Sequence, residues 1–186
     1  ADPSHRNRRM PPETYIDHTQ VDFNKLVFDI AAIEAVNPHR HGMRMLDGVV
    51  FVDREKHIIV GYKDCRPDEF WVPGHMPGYP LLPGVMMIEA AGQLACLYTK
   101  THGILKDELL GLGGIENVRY RAPVRPGDRL VLVGKGIRVD RRLTEFAVQG
   151  YVGSTLAFHG NVIGVPIPGK ERLQIQTGAR SSESKG

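Results

Sequence analysis

The side chains best suited to proton transfer in this sequence are a histidine, His75, and a carboxylate, Glu89. His75 stands in Gly74-His75-Met76-Pro77-Gly78-Tyr79-Pro80-Leu81-Leu82-Pro83-Gly84. Proline restricts φ there and glycine admits conformations other residues avoid, so a tightly folded loop is expected. Glu89 falls in the run that follows, residues 85–100, which has no proline and many strong helix formers. Pro83 suits a first helical turn and Gly103 stands just past the end, predicting a helix over residues 83–100, about 27 Å long at about 1.5 Å per residue. This helix is apolar on almost every face, a pattern that asks for burial all round. Glu89 and Gln93 interrupt it on one face, one turn apart. A carboxyl group in such a helix is costly unless it is paired, hydrogen-bonded or neutral. An imidazole, with an ordinary pKa of about 6.5, accepts a proton near neutrality, so the two together are a candidate acid–base pair.

The remaining elements must position that pair. Residues 29–36 have helical spacing, with Asp29 as N-cap and Asn37-Pro38 as the stop. Residues 48–53 and 57–63 read as strands across a charged turn, Arg54-Glu55-Lys56. After the central helix the pattern turns to β: residues 114–121, 130–139, 143–152 and 155–165, with turns at Ala122-Pro123-Val124-Arg125-Pro126-Gly127-Asp128, Asp140-Arg141-Arg142 and Gly153-Ser154. Residues 1–24 read as a loosely held polar extension, 25–166 as the domain, and 167–186 as a polar tail. One antiparallel sheet covers only part of an apolar helix, and a second copy of the chain would cover more.

Composition narrows the function classes. The chain has 186 residues, 41% hydrophobic and 24% charged, enough for one domain with a full core. A scattered net charge of +3 gives no nucleic-acid footprint. No apolar run reaches the length of a membrane span, and the N-terminus lacks the apolar segment of a secretory signal. Cys65 and Cys96 have no metal-ligand spacing; Cys96 reads as a core residue, and a reducing, cytoplasmic compartment is expected.

The run His75-Met76-Pro77-Gly78-Tyr79-Pro80-Leu81-Leu82-Pro83-Gly84-Val85, followed by Ile88-Glu89-Ala90 and Gln93, resembles the signature of the bacterial 3-hydroxyacyl-acyl-carrier-protein dehydratases. The segment with Pro38-His39-Arg40 and Leu46-Asp47 resembles that family's opening segment. Residues 118–128 resemble its strand and turn after the helix, so the likeness covers about residues 28–165 in order. The resemblance implies an α+β hot-dog fold, an antiparallel sheet wrapped around one long central helix. It also implies a homodimer in which His75 and Glu89 come from opposite subunits, with further assembly to a trimer of dimers. Met76 stands where phenylalanine is usual, Gly92 where alanine is usual, and His41-Gly42-Met43-Arg44 is more polar than the family pattern.

The implied reaction is dehydration of a 3-hydroxyacyl thioester to the trans-2-enoyl thioester in fatty acid biosynthesis. His75 would take the α-proton and Glu89 assist loss of the hydroxyl. The N–H of Gly84, in the first helical turn, would hold the thioester oxygen, and Gln93 would orient Glu89. No metal or organic cofactor is needed. Met76, Met86, Tyr120 and Trp71 are candidate walls of an acyl tunnel. The partner would be an acyl carrier protein bearing the substrate on phosphopantetheine, acidic in this family, with Arg119, Arg121, Arg125 and Arg129 as its candidate surface. His39, His41, His57 and His159 read as surface or loop residues. The hot-dog fold also serves thioesterases, hydratases of coenzyme A thioesters and acyl-binding modules, so fold alone does not decide among them.

Overall fold

A computed structural model describes residues 12–105 and 108–167. The first helix, α1 (Ile30–Val36), starts where Asp29 accepts a hydrogen bond from the Ala32 N–H and stops at Asn37, before a proline. Strands β1 (Gly48–Asp53) and β2 (Ile58–Asp64) form a hairpin, followed by a long loop and the central helix α2 (Gly84–Thr101). Gly103 ends α2 in the left-handed region, φ 68°, its N–H donating to the Lys100 carbonyl. Four strands complete the chain: β3 (Leu109–Tyr120), β4 (Arg129–Val139), β5 (Thr144–Val152) and β6 (Thr155–Ile167). All pairings are antiparallel, in the order β1-β2-β4-β5-β6-β3. The sheet wraps α2, and Leu94, Leu97 and Tyr98 are buried with Ile59, Leu132, Phe146 and Phe158 in one core. This is the hot-dog arrangement.

Two expectations change. Residues 12–24 are not loosely held: Tyr15, Ile16, Val21 and Phe23 lie on the outer face of the sheet, against Val60, Tyr62, Val133 and Tyr151. His18 is buried there, stacked on Tyr151 with Nε2 2.8 Å from the Gly153 carbonyl. The reason is that β2, β4 and β5 carry apolar residues on both faces, and the outer set needs a cover. Second, β3 begins at Leu109 rather than at residue 114. A Cβ at Gly111 or Gly113 would stand 2.6 Å from Ile167 or 2.7 Å from Val165, so glycine lets β6 side chains lean across the strand. As expected of a single sheet, α2 is not covered all round. Val85 is 72% exposed, and Glu89 and Gly92 on the same face are half-buried. The expected polar tail lies outside the described residues, apart from Ile167. Among the described residues no helix is long and apolar enough to cross a membrane.

Candidate active site

His75 is held by a loop that is itself clamped to β2. Lys63, 1% exposed, donates from Nζ to Asp47 Oδ2 at 3.2 Å, Glu69 Oε1 at 2.6 Å and the Asp64 carbonyl at 2.9 Å. Glu69 Oε2 accepts from the Trp71 indole N–H at 3.1 Å, and the Trp71 carbonyl accepts from the His75 N–H at 2.8 Å. Met76 and Gly78 follow at φ 63° and 83°, which folds the loop back on itself. For a methionine such a φ is a sparsely populated state held by its surroundings. The His75 ring stands with Nδ1 2.7 Å from the Leu81 carbonyl. A carbonyl only accepts, so Nδ1 carries the proton and Nε2 is left with its lone pair.

Glu89 is held from its own helix and from the segment after α1. Gln93 Nε2 donates to Glu89 Oε1 at 2.8 Å and to the Met43 carbonyl at 2.8 Å, while Gln93 Oε1 accepts from the Met45 N–H at 2.9 Å. Gln93 is 2% exposed with these three partners, so its amide has one orientation to offer. His39, read from sequence as a surface or loop residue, is instead half-buried with Nε2 3.4 Å from Glu89 Oε1. Its neighbours in sequence give no signal for this, because the contact is made across the α1–α2 packing. Pro38-His39-Arg40 belongs to a recognisable segment, and that was the available hint.

Two cavities open beside these residues. One, of about 60 Å³, lies between α2 and strands β3, β5 and β6, and is bounded by His39, Glu89, Gly92, Cys96, Leu110 and Val162 among others. The other is an open groove of about 530 Å³ at the N-terminus of α2, with His75, Gly84, Val85, Tyr120 and Arg121 in its walls. Within one chain, therefore, His75 and Glu89 face different spaces. Tyr120 lies against Gly84, where an added Cβ would be 2.6 Å from its ring. Met86 packs partly on the core; Trp71 is buried in it; Met76 is 52% exposed; none of the three lines either cavity. Burial pushes the Cys96 thiol up to about 11, so it stays protonated and is no nucleophile.

The four arginines separate. Arg121 is at the His75 groove, and Arg125 bonds the hydroxyl of Tyr79 in the same loop. Arg119 is exposed on β3, its guanidinium turned to the Val118 carbonyl at 2.8 Å. Arg129 is committed elsewhere, forked onto Asp64 at 2.6 and 2.8 Å and stacked over Tyr62.

Comparison with known proteins places this arrangement. The profile of the FabA-like domain matches residues 37–160. A 3-hydroxyacyl-[acyl-carrier-protein] dehydratase FabZ of Desulfotalea psychrophila is 35% identical over 127 residues, 67% of this chain and 83% of that protein. Its counterpart from Mannheimia succiniciproducens is 37% identical over 132 residues, 70% of this chain and 87% of that protein. Among solved structures, the dehydratase heterocomplex ApeI:P from Xenorhabdus doucetiae superposes with a TM-score of 0.64 at 20% identity, covering 76% of this chain and 93% of that one. A profile spanning the sheet and central helix, with relatives above 30% identity along most of their length, makes the chain a member of the FabA/FabZ dehydratase family.

Proposed function

We propose that this chain dehydrates 3-hydroxyacyl-acyl-carrier-protein thioesters to the trans-2-enoyl thioesters, and that its site is completed by two copies of the chain. The observation that carries the reading is the pair of prepared groups: an imidazole whose Nε2 lone pair is left free by the Leu81 carbonyl, and a carboxyl fixed by Gln93 beside an apolar cavity. His75 Nε2 takes the α-proton as the electron pair moves onto the thioester carbonyl. The Gly84 N–H, in the first turn of α2, stabilises the oxygen as it becomes anionic. The C–O bond then breaks, Glu89 delivers a proton to the departing hydroxyl, and water leaves. His75 and Glu89 face separate spaces in one chain, and the open helix face at Val85, Glu89 and Gly92 adjoins the unpaired edge of β3. Both features favour a homodimer, from which a trimer of dimers could be built. The acyl carrier would approach the groove from the side of Arg121 and Arg125, in the cytoplasm, and no cofactor takes part in the scheme.

The test is turnover of 3-hydroxybutyryl and crotonyl thioesters, followed by enoyl absorbance and by free thiol. His75→Ala and Glu89→Gln should each lower turnover by about 100-fold or more. Co-expressing the two variants should restore about a quarter of parent activity, because half the dimers are mixed and each mixed dimer has one complete site. Full activity in both variants, or no recovery on mixing, overturns the assignment. Release of thiol without enoyl formation would make the protein a thioesterase.

A further inference from the structure

Glu89 can do its work only if one oxygen is held while the other faces the substrate, and the side chain on the far side of Oε1 is His39. We infer that His39 is a positioning residue for Glu89, the second donor to Oε1 that leaves Oε2 as the oxygen carrying the acid proton. The inference rests on the proposed dehydratase reaction and deepens it.

The geometry is specific. His39 Nε2 stands 3.4 Å from the same oxygen, Oε1, that Gln93 Nε2 approaches at 2.8 Å. His39 Nδ1 is buried with no hydrogen-bond partner. A proton on Nδ1 would be an orphaned donor, whereas a proton on Nε2 faces a carboxylate, so the Nε2–H tautomer is favoured. With the Gln93 amide donating to Oε1 and the His39 Nε2–H facing it, Oε1 is the acceptor and the exchangeable proton of the neutral acid falls on Oε2.

The backbone that carries His39 is stapled in place from both ends. Asn37 Nδ2 donates to the Gln93 carbonyl at 2.9 Å on one side, and Gln93 holds Met43 and Met45 on the other. Arg40 is spent on backbone, donating to the carbonyls of Asn37, His39 and Glu34 at 2.7, 2.8 and 2.8 Å. His39 therefore cannot drift from Glu89 without breaking the Gln93 contacts. The charged groups that face it are Glu89 from α2 and Arg40 from its own loop. The wall opposite, from β3, β5 and β6, contributes Leu110, Gly111, Leu112, Thr144, Val162, Ile163 and Gly164, none of them titratable. Burial pushes the imidazole below its ordinary pKa against the pull of Glu89, and Arg40 adds to that push. A neutral imidazole orients the carboxyl without locking it as a permanent ion pair.

The experiment compares His39→Leu and His39→Gln with the parent and with Glu89→Gln, in crotonyl-thioester hydration. His39→Leu should lower kcat about 10- to 100-fold with KM unchanged, as loss of an orienting partner typically does. The glutamine amide keeps a donor and should return kcat to within a few-fold of the parent. Where His39→Leu does not fold, His39→Phe keeps the ring volume and serves the same comparison. Parent-like kcat in His39→Leu, or equal loss in the leucine and glutamine variants, overturns the inference while the dehydratase reading stands. An inactive parent, or a fully active Glu89→Gln, overturns that reading and the role of His39 with it.

Discussion

Replacing Lys63 by methionine should destabilise the protein severely at neutral pH and much less in acid. Lys63 Nζ is the shared partner of Asp47 and Glu69, whose side chains are only 8% and 7% exposed. Methionine fills the space of the aliphatic stem but removes the buried cation that both carboxylates share, and removing one member of a buried ionic cluster costs about 3–5 kcal/mol. Against a domain stability of about 5–15 kcal/mol, that is a large fraction. At a urea slope of about 1–3 kcal/mol per molar, the midpoint should fall by at least about 1 M. The single tryptophan, Trp71, bonds Glu69 through its indole N–H, so its fluorescence reports directly on the clamp.

The sign with pH follows from Glu69. Burial alone would lift its carboxyl, but hydrogen bonds from the Arg66 N–H, Lys63 and Trp71 outweigh it and hold the group below its ordinary value. A carboxyl depressed in the fold contributes stability that is present above its unfolded pKa and lost as pH falls through its folded one. In Lys63→Met the burial remains while the hydrogen bond and the charge of Lys63 are gone, so the carboxyl moves up. The gap between parent and variant should be widest at neutral pH and close as the pH falls through the carboxylate range. Adding Asp47→Asn and Glu69→Gln to the methionine variant should recover most of the loss. A variant within about 1 kcal/mol of the parent at pH 7, or a gap that does not narrow in acid, refutes the reasoning.

Gly84→Ala puts a Cβ 2.6 Å from the Tyr120 ring, which is half exposed and can swing away. Turnover should fall sharply with little change in melting temperature, measured together on the same preparation. Gly150→Ala drives a methyl into the ring of Phe158, which is fully buried, and should cost about 1–3 kcal/mol or more by urea titration. Truncation before Leu26 uncovers Val60, Tyr62, Val133 and Tyr151 on the outer sheet face. The shortened protein should bind a hydrophobic dye and self-associate, read by fluorescence and light scattering.

Local patterns along the chain were enough to place most elements and three members of the candidate site. Pro83, the proline-free run after it and Gly103 delimit α2 to within a residue at each end, because caps and breakers act over one turn. Glu89 and Gln93 sit at helical spacing, so their mutual contact could be read before any coordinates, and His75 was conspicuous in its proline-glycine loop. The strand at Leu109 was obscured because glycines that serve close interstrand packing look the same in sequence as glycines that end a strand. The ionic cluster of Lys63, Asp47 and Glu69 is not legible in the sequence, since a charged residue at a strand position, as Lys63 is, reads as solvated until the loop above it is folded down.

What the order of residues settled by itself is the kind of chemistry available: an imidazole in a rigid loop, a carboxyl on an apolar helix, and a glycine N–H at that helix's start. Tertiary structure alone decided which atoms are free to react. The Leu81 carbonyl selects the His75 tautomer, the segment from Asn37 to Met45 folds over α2 to bring His39 to Glu89, and the sheet order leaves β3 on an open edge. The physical reason is range: propensities and caps act between residues a turn apart, whereas a hydrogen bond or a desolvated charge depends on whichever distant segment is packed within about 3 Å.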